Sequence, residues 1–208
     1  IRDRCNSHEY ATMMLEANPE AYRSIFEKSV AEFGGNMENL QFNADTNWYD
    51  ELLRTAMMTN HSLNISGGTE KATYSAGMSY LAQDGIMDVE NYYRRLNFRA
   101  ALDYEARKWL KVGFNGVFSN SQQQLPKNAA WQQAYNTPSI IPVYDDRRDD
   151  AVFPKKYTSP EQVGLTNNFN NPVATANYYD NRNETYQVLT NFYACLLYTS
   201  PSPRDSTS

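Results

Sequence analysis

The chain has 208 residues, a formal net charge of −5 and a hydrophobic fraction of 41%. The negative balance excludes nucleic-acid binding by bulk charge, and no run of about 18 apolar residues is present to cross a membrane as a helix. A membrane protein built of strands stays open, because barrel strands need only about 9–11 alternating residues each. Tyrosine occurs 16 times and asparagine is frequent, a mix that suits wet sheets and interfaces better than a dense helical core. Cys5 and Cys195 lie near opposite ends, without the spacing of a metal site or a disulfide framework. The chain opens Ile1-Arg2-Asp3, with neither an initiator Met nor a signal peptide, as expected of a processed or internal piece.

Residues 1–17 carry no clear pattern. Asn18-Pro19 then predicts a helix start, Asn as N-cap and Pro at the first helical position. Tyr22, Ile25, Phe26, Val30 and Phe33 follow at helical spacing, and Gly34-Gly35 ends the run. The stretch from Ala44 to Ala56, ADTNWYDELLRTA, predicts a short helix capped by Asp45 or Thr46, with Trp48, Leu52 and Leu53 inward.

From His61 the period changes to two. HSLNISGG alternates Leu63 and Ile65 against Ser62 and Asn64, and Gly67–Lys71 predicts a tight turn in which glycines supply positive φ. The next strand sets Tyr74, Ala76, Met78 and Tyr80 against Thr73, Ser75, Gly77 and Ser79. A longer polar connection, Gln83–Tyr93, leads to a third strand with Leu96, Phe98, Ala100, Leu102 and Tyr104 opposite Arg95, Asn97, Arg99 and Asp103. Glu105–Trp109 turns the chain into a fourth, with Leu110, Val112, Phe114 and Phe118 opposite Lys111, Asn115 and Ser119. Residues 120–184 show no period and read as one long loop; a fifth strand returns at Glu184–Ala194. Cys195–Ser208 breaks the design and reads as a non-native, adapter-derived tail.

Connection lengths alternate short, long, short, very long. Transmembrane barrels sort their loops this way, with short periplasmic turns and long extracellular loops. On that reading Arg95, Arg99, Asp103, Lys111 and Asn115 face a wet lumen, and Tyr80, Tyr104, Trp109 and Phe118 sit at the aromatic girdles. A soluble sheet with its dry face on a second layer satisfies the same alternation, so both readings stand at this point. The chemistry candidates are weak. His61 beside Ser62 has no oriented acid, so no catalytic residue is assigned. The acidic run at Tyr144–Ala151 carries two arginines and lacks the spacing of a calcium loop. Gly67-Gly68 is no phosphate cradle, because no helix follows.

The strings ADTNWYDELLRTA, HSLNISGGTEKATYSAGMSYLAQDGI and RRLNFRAALDYEARKWLKVGFNGVFSNS resemble, in order and spacing, the SusC/RagA family of TonB-dependent outer-membrane transporters. NNPVATANYYDNRNETYQVLTNFYA is similar to a further stretch of that family, so the resemblance covers roughly Asp45 to Ala194. One departure is DTNW at Asp45–Trp48, where the family more often shows a Pro-containing Thr-Asp-Trp. The resemblance implies a partial chain of mainly all-β class, an antiparallel meander of a transmembrane barrel wall preceded by a helical linker. Residues 1–60 would be the end of the plug region and the linker, 61–194 the first barrel strands with a long extracellular loop at 120–184, and 195–208 the foreign tail.

It further implies import of glycans or peptides without catalysis or cofactor. The partners would be a SusD-like surface lipoprotein, TonB through a part not contained here, outer-membrane lipid, and an oligosaccharide or peptide substrate. The location would be the outer membrane of a Bacteroidetes-type Gram-negative cell. Trp131, Tyr135 and Tyr144 in the long connection are the expected ligand- or lid-binding residues, rings for apolar sugar faces among amides for hydroxyls. A surface β-sheet binding module of adhesin type is the alternative, and a passive porin a further one.

Overall fold

The computed structural model describes residues 5–147, 156–166 and 169–197. The foreign tail expected at 195–208 therefore lies outside the described residues from 198 onward, as do residues 148–151 of the acidic run. The described residues divide into two compact units, one drawn from 5–56, 85–91 and the described part of 124–181, and one from 57–84, 92–123 and 182–197.

The first unit is helical. Helix α1 (Ser7–Ala17) occupies residues in which no pattern was legible. Its start is a capping box: the Asn6 side chain accepts from the Glu9 N–H at 2.8 Å, and the Glu9 carboxylate accepts from the Asn6 N–H at 3.0 Å. Helix α2 (Pro19–Phe33) is the expected one, with Asn18 accepting from the Ala21 N–H, Phe26 and Ser29 buried, and Gly34 closing it at φ 89°. Two short strands, β1 (Gly35–Asn36) and β2 (Gln41–Phe42), pair antiparallel.

Helix α3 (Trp48–Leu52) is shorter than ADTNWYDELLRTA suggested and is capped by Asn47, whose side chain accepts from the Tyr49 N–H. Asp45 and Thr46 are engaged elsewhere. Asp45 accepts from the Ser7 N–H at 2.8 Å, and the Thr46 hydroxyl donates to the Ile141 carbonyl at 2.7 Å. Trp48 and Leu52 are buried as expected, while Leu53 is the C-cap and only partly buried.

Residues 124–181 are not a loop without internal order. They form α4 (Asn128–Asn136), a 3₁₀ turn (Pro160–Val163) and α5 (Pro172–Asn177). They supply Ala130, Ala134, Ile140, Ile141, Val143, Val163, Val173 and Ala176 to the same core as Phe26, Trp48 and Leu52. The Trp48 indole N–H donates to the Pro138 carbonyl at 3.0 Å, and the buried Ser29 hydroxyl donates to the Ile140 carbonyl at 2.9 Å. The expectation of a mainly all-β chain is corrected accordingly: the fold is mixed, a helical region preceding and accompanying an antiparallel sheet. The physical reason is that short apolar runs such as Ile140-Ile141 pack singly between helices and leave no period to read.

The second unit is a five-stranded sheet whose spatial order equals its chain order: β3 (Met58–Thr69), β4 (Ala72–Asp84), β5 (Tyr92–Arg107), β6 (Leu110–Gln124) and β7 (Arg182–Leu196). The register pairs Leu63 with Met78, Asn64 with Gly77, Gly77 with Arg99 and Met78 with Phe98. The first hairpin turns at Glu70-Lys71, so Gly67 and Gly68 lie in the strand and supply no positive φ. They are needed for close approach instead: a Cβ on Gly67 would come within 2.5 Å of the Tyr74 hydroxyl on β4. Likewise the second hairpin turns at Lys108-Trp109, tighter than Glu105–Trp109 implied. Strand β7 extends past Ala194 through Cys195 and Leu196.

Candidate functional site

The sheet has two chemically distinct faces. Cross-strand partners point to the same side, so the register places Ser62, Asn64, Gly77, Ser79, Arg95, Asn97, Arg99 and Asp103 together. Ser119 of β6 joins them, its hydroxyl donating to the Asn97 side chain at 2.8 Å, while Asn97 donates to Ser79 at 3.1 Å. By strand alternation Lys111 and Asn115 share this face. All five residues expected to face a lumen therefore line one polar face.

Two long side chains on that face each cross an intervening strand over a glycine. The Arg99 guanidinium reaches from β5 over Gly77 of β4 to donate to Asn64 of β3 at 2.7 Å. A Cβ on Gly77 would lie 2.6 Å from the Asn64 oxygen and 2.7 Å from the Arg99 Nε. Tyr193 reaches from β7 over Gly113 of β6 to donate its hydroxyl to Asp103 of β5. Alternation already sets Asn64, Gly77, Asn97 and Ser119 on the polar side of their strands, but neither the crossings nor Tyr193 follow from the sequence.

The opposite face carries Leu63, Ile65, Tyr74, Met78, Leu96, Phe98, Leu102, Tyr104, Phe114, Val188, Phe192 and Leu196. Phe98 is 47% exposed, Phe192 74% and Leu196 71%, and Leu110 and Phe114 are only partly buried. Phe114 and Phe192 lie ring against ring at 4.9 Å. The band ends in polar and aromatic groups. Toward the long connections, Asn120, Gln122 and Tyr186 all donate to the Glu184 carboxylate, and Arg94 lies 4.8 Å above the Tyr92 ring. Toward the tight turns stand Tyr74, Tyr104 and Trp109.

The aromatic residues expected to bind a ligand or lid are split between two clusters of the helical unit. Trp131 and Tyr135 are one turn apart on α4, both exposed, and Trp131 meets the Tyr49 ring edge-on at 5.4 Å. Tyr144 stacks on Tyr157 at 5.2 Å, and Tyr157 meets Tyr178. Burial pushes the Tyr157 phenol above its ordinary pKa. Nearby, a hydrogen bond from Arg147 holds the buried Asp145 carboxyl down at about 2, against the opposing effect of burial. Arg147 also pairs with Glu32 at 3.2 Å, so this charge run is an internal clamp between segments. Among the described residues, no group of three or more His, Cys, Asp and Glu side chains is placed to hold a metal ion. His61 pairs with Tyr80 at an exposed strand position.

No family model matches the chain. Three characterised proteins do. It is 29% identical over 133 residues to the TonB-dependent receptor SusC of Bacteroides thetaiotaomicron, covering 62% of this chain and 13% of that protein. It is 28% identical over 151 residues to the TonB-dependent receptor P26 of Formosa agariphila, covering 72% of this chain and 14% of the relative. The TonB-dependent receptor P3 of the same organism is 33% identical over 72 residues, 35% of this chain and 7% of its own. The chain is a distant relative of TonB-dependent receptors. It spans about a seventh of the length of the first two relatives. The homology is to a transporter class not known for catalysis, in line with the assignment of no catalytic residue.

Proposed function

We propose that the chain is part of the barrel wall of a TonB-dependent outer-membrane transporter, together with the end of its plug region and linker. The observation that carries this reading is the uncovered apolar face of a chain-ordered antiparallel meander. Its dimensions fit a bilayer. Tyr186 to Leu196 on β7 is ten residue steps, about 34 Å along the strand and about 26 Å in height at a tilt of about 40°, against an apolar band of about 25 Å in such barrels. Leu96 to Tyr104 on β5 gives about 21 Å by the same arithmetic. Aromatic and charged groups stand at both rims of the band, where interfacial girdles belong.

Closure into a barrel by further strands pairs the free edges of β3 and β7, which otherwise present unpaired backbone groups. The polar face lines the lumen, and a hydrated glycan or peptide passes along it. The tight turns at Glu70-Lys71 and Lys108-Trp109 lie on the periplasmic side, and residues 120–184 on the extracellular side. There Trp131, Tyr135 and Tyr144 face a ligand or a SusD-like lipoprotein lid, while TonB acts through a part of the transporter not contained here. An adhesin-like soluble module would cover Leu96, Phe98, Leu110 and Phe114 with a second layer; no such layer covers them among the described residues.

The test is to reconstitute the chain in lipid bilayers with single spin labels at each position from Leu96 to Asp103. Even positions are expected to collide with dissolved oxygen in the hydrocarbon, and odd positions with an aqueous nickel reagent. Loss of that two-residue period, or its inversion, refutes the wall.

A further inference from the structure

The polar face of the sheet carries a charge opposite to that of the chain. Arg95, Arg99, Arg107 and Lys111 stand on it against Asp103 and Glu105, whereas the whole chain is at −5. Around Arg99 lies a hollow of about 310 Å³ whose polar lining is Ser62, Asn64, Ser79, Asn97 and Arg99 about Gly77, with Met78 and Val117 completing its wall. Its hydrogen-bonding capacity is lopsided. The Asn97 oxygen is taken by Ser119 and the Asn64 oxygen by Arg99. What remains is the Asn64 amide nitrogen and the rest of the guanidinium, which can only donate, and the Ser62 and Ser79 hydroxyls, which can donate or accept. Arg99 forms no ion pair among the described residues. Gly77 leaves the room in which the Arg99 side chain crosses β4, and a guanidinium is the group that meets a carboxylate or sulfate as a planar fork.

We propose that this hollow is a subsite for a carboxylate- or sulfate-bearing oligosaccharide. The anionic group pairs with Arg99, and ring hydroxyls accept from Asn64, Ser62 and Ser79. Arg95, four residues along the same strand and about 13 Å away, is positioned to meet the acid of a following sugar. The proposal rests on the lumen reading of the polar face and names the substrate class that face selects. A neutral glycan leaves the guanidinium fork unmatched. An acidic peptide matches the charge but brings backbone N–H donors to a surface already rich in donors.

The experiment uses the full chain refolded in detergent micelles and titrated calorimetrically with three probes of similar size: trigalacturonate, maltotriose and triglutamate. Trigalacturonate is expected to bind about 10-fold or more tighter than maltotriose at low salt, and to weaken as salt rises. Arg99→Gln is expected to remove most of that preference, Arg99→Lys to leave an intermediate one, and Arg23→Gln, on α2, to change nothing. Gly77→Ala displaces Arg99 and Asn64 together while leaving both side chains in the sequence, and is expected to behave like Arg99→Gln. Equal binding of acidic and neutral sugars overturns the proposal, as does an unaffected Arg99→Gln. Triglutamate binding as tightly as trigalacturonate overturns it in favour of an acidic peptide. Should no probe bind while the spin-label period on β5 persists, the subsite falls and the barrel wall stands; should the period vanish, both fall.

Discussion

Asn171 joins three parts of the helical unit through one side chain. Its oxygen accepts from the Val173 and Ala174 N–H groups, capping α5. Its amide nitrogen donates to the Val143 carbonyl at 2.8 Å and the Thr158 carbonyl at 3.2 Å, and the residue is buried. Removing it with Asn171→Ala costs the cap, about 1 kcal/mol. It also leaves the Thr158 carbonyl without its donor in a buried setting, about 1–3 kcal/mol. The Val143 carbonyl still accepts from the Thr158 N–H, so its loss is the smaller part. The expected total is about 2–4 kcal/mol, a large share of a domain's stability.

Asn171→Asp separates the two roles. It keeps the cap acceptor but turns a carboxylate toward two carbonyls. It is expected to be less stable than the alanine variant at pH 8. Because its folded pKa is raised, that penalty is present above the folded value and relieved as pH falls toward 5. The assay is denaturant unfolding of the detergent-solubilised chain, followed by fluorescence with buried Trp48 as the core reporter. An Asn171→Ala variant within about 1 kcal/mol of wild type, or an aspartate variant as stable as wild type, refutes the account.

The clamp at Asp145 gives a pH dependence. Its folded pKa is depressed to about 2, so its contribution is present above the unfolded value near 4 and lost as pH falls toward 2. With Arg147 half-exposed, the contribution is about 1–2 kcal/mol, and Asp145→Asn is expected to flatten stability between pH 5 and 2 in acid unfolding. Gly113→Ala is expected to expel the Tyr193 ring and break its bond to Asp103, read as loss of the hydroxyl's protection in proton NMR of the micelle-bound chain. In an intact transporter carrying this segment, a cysteine at Tyr135 is expected to react with an impermeant thiol reagent on whole cells, and one at Lys108 not to. The reverse pattern refutes the orientation and leaves the wall untouched.

The strands were legible from sequence because a sheet face repeats every second residue over 12 to 16 positions. Helix α2 was legible because its apolar stripe is framed by Asn18-Pro19 and Gly34. The segment 124–181 was not. Its core contacts come from short pieces such as Ile140-Ile141 and Val163, held by side-chain to backbone bonds from Ser29, Thr46 and Trp48 far away in sequence. Such pairing has no local period. The polar-face residues expected from parity do share a face. The two glycine crossings depend on which residues stand opposite each other, and register is not written in any single strand. The aromatic residues of the long connection carry chemistry but no period, and the structure divides them between two clusters.

The core of the helical unit unites segments interrupted twice by strands, with Ser29 bonded to a carbonyl 111 residues later. A ribosome releasing this chain exposes α1, α2 and α3 long before their partners at Ile140, Val163 and Val173 emerge. At about 5–20 residues per second the wait lasts several seconds, with greasy hairpins already made and unsheltered. Through that interval the early helices and the hairpins share the same exposure to aggregation, and a frameshift before Asn128 leaves α1, α2 and α3 without any of their late core partners.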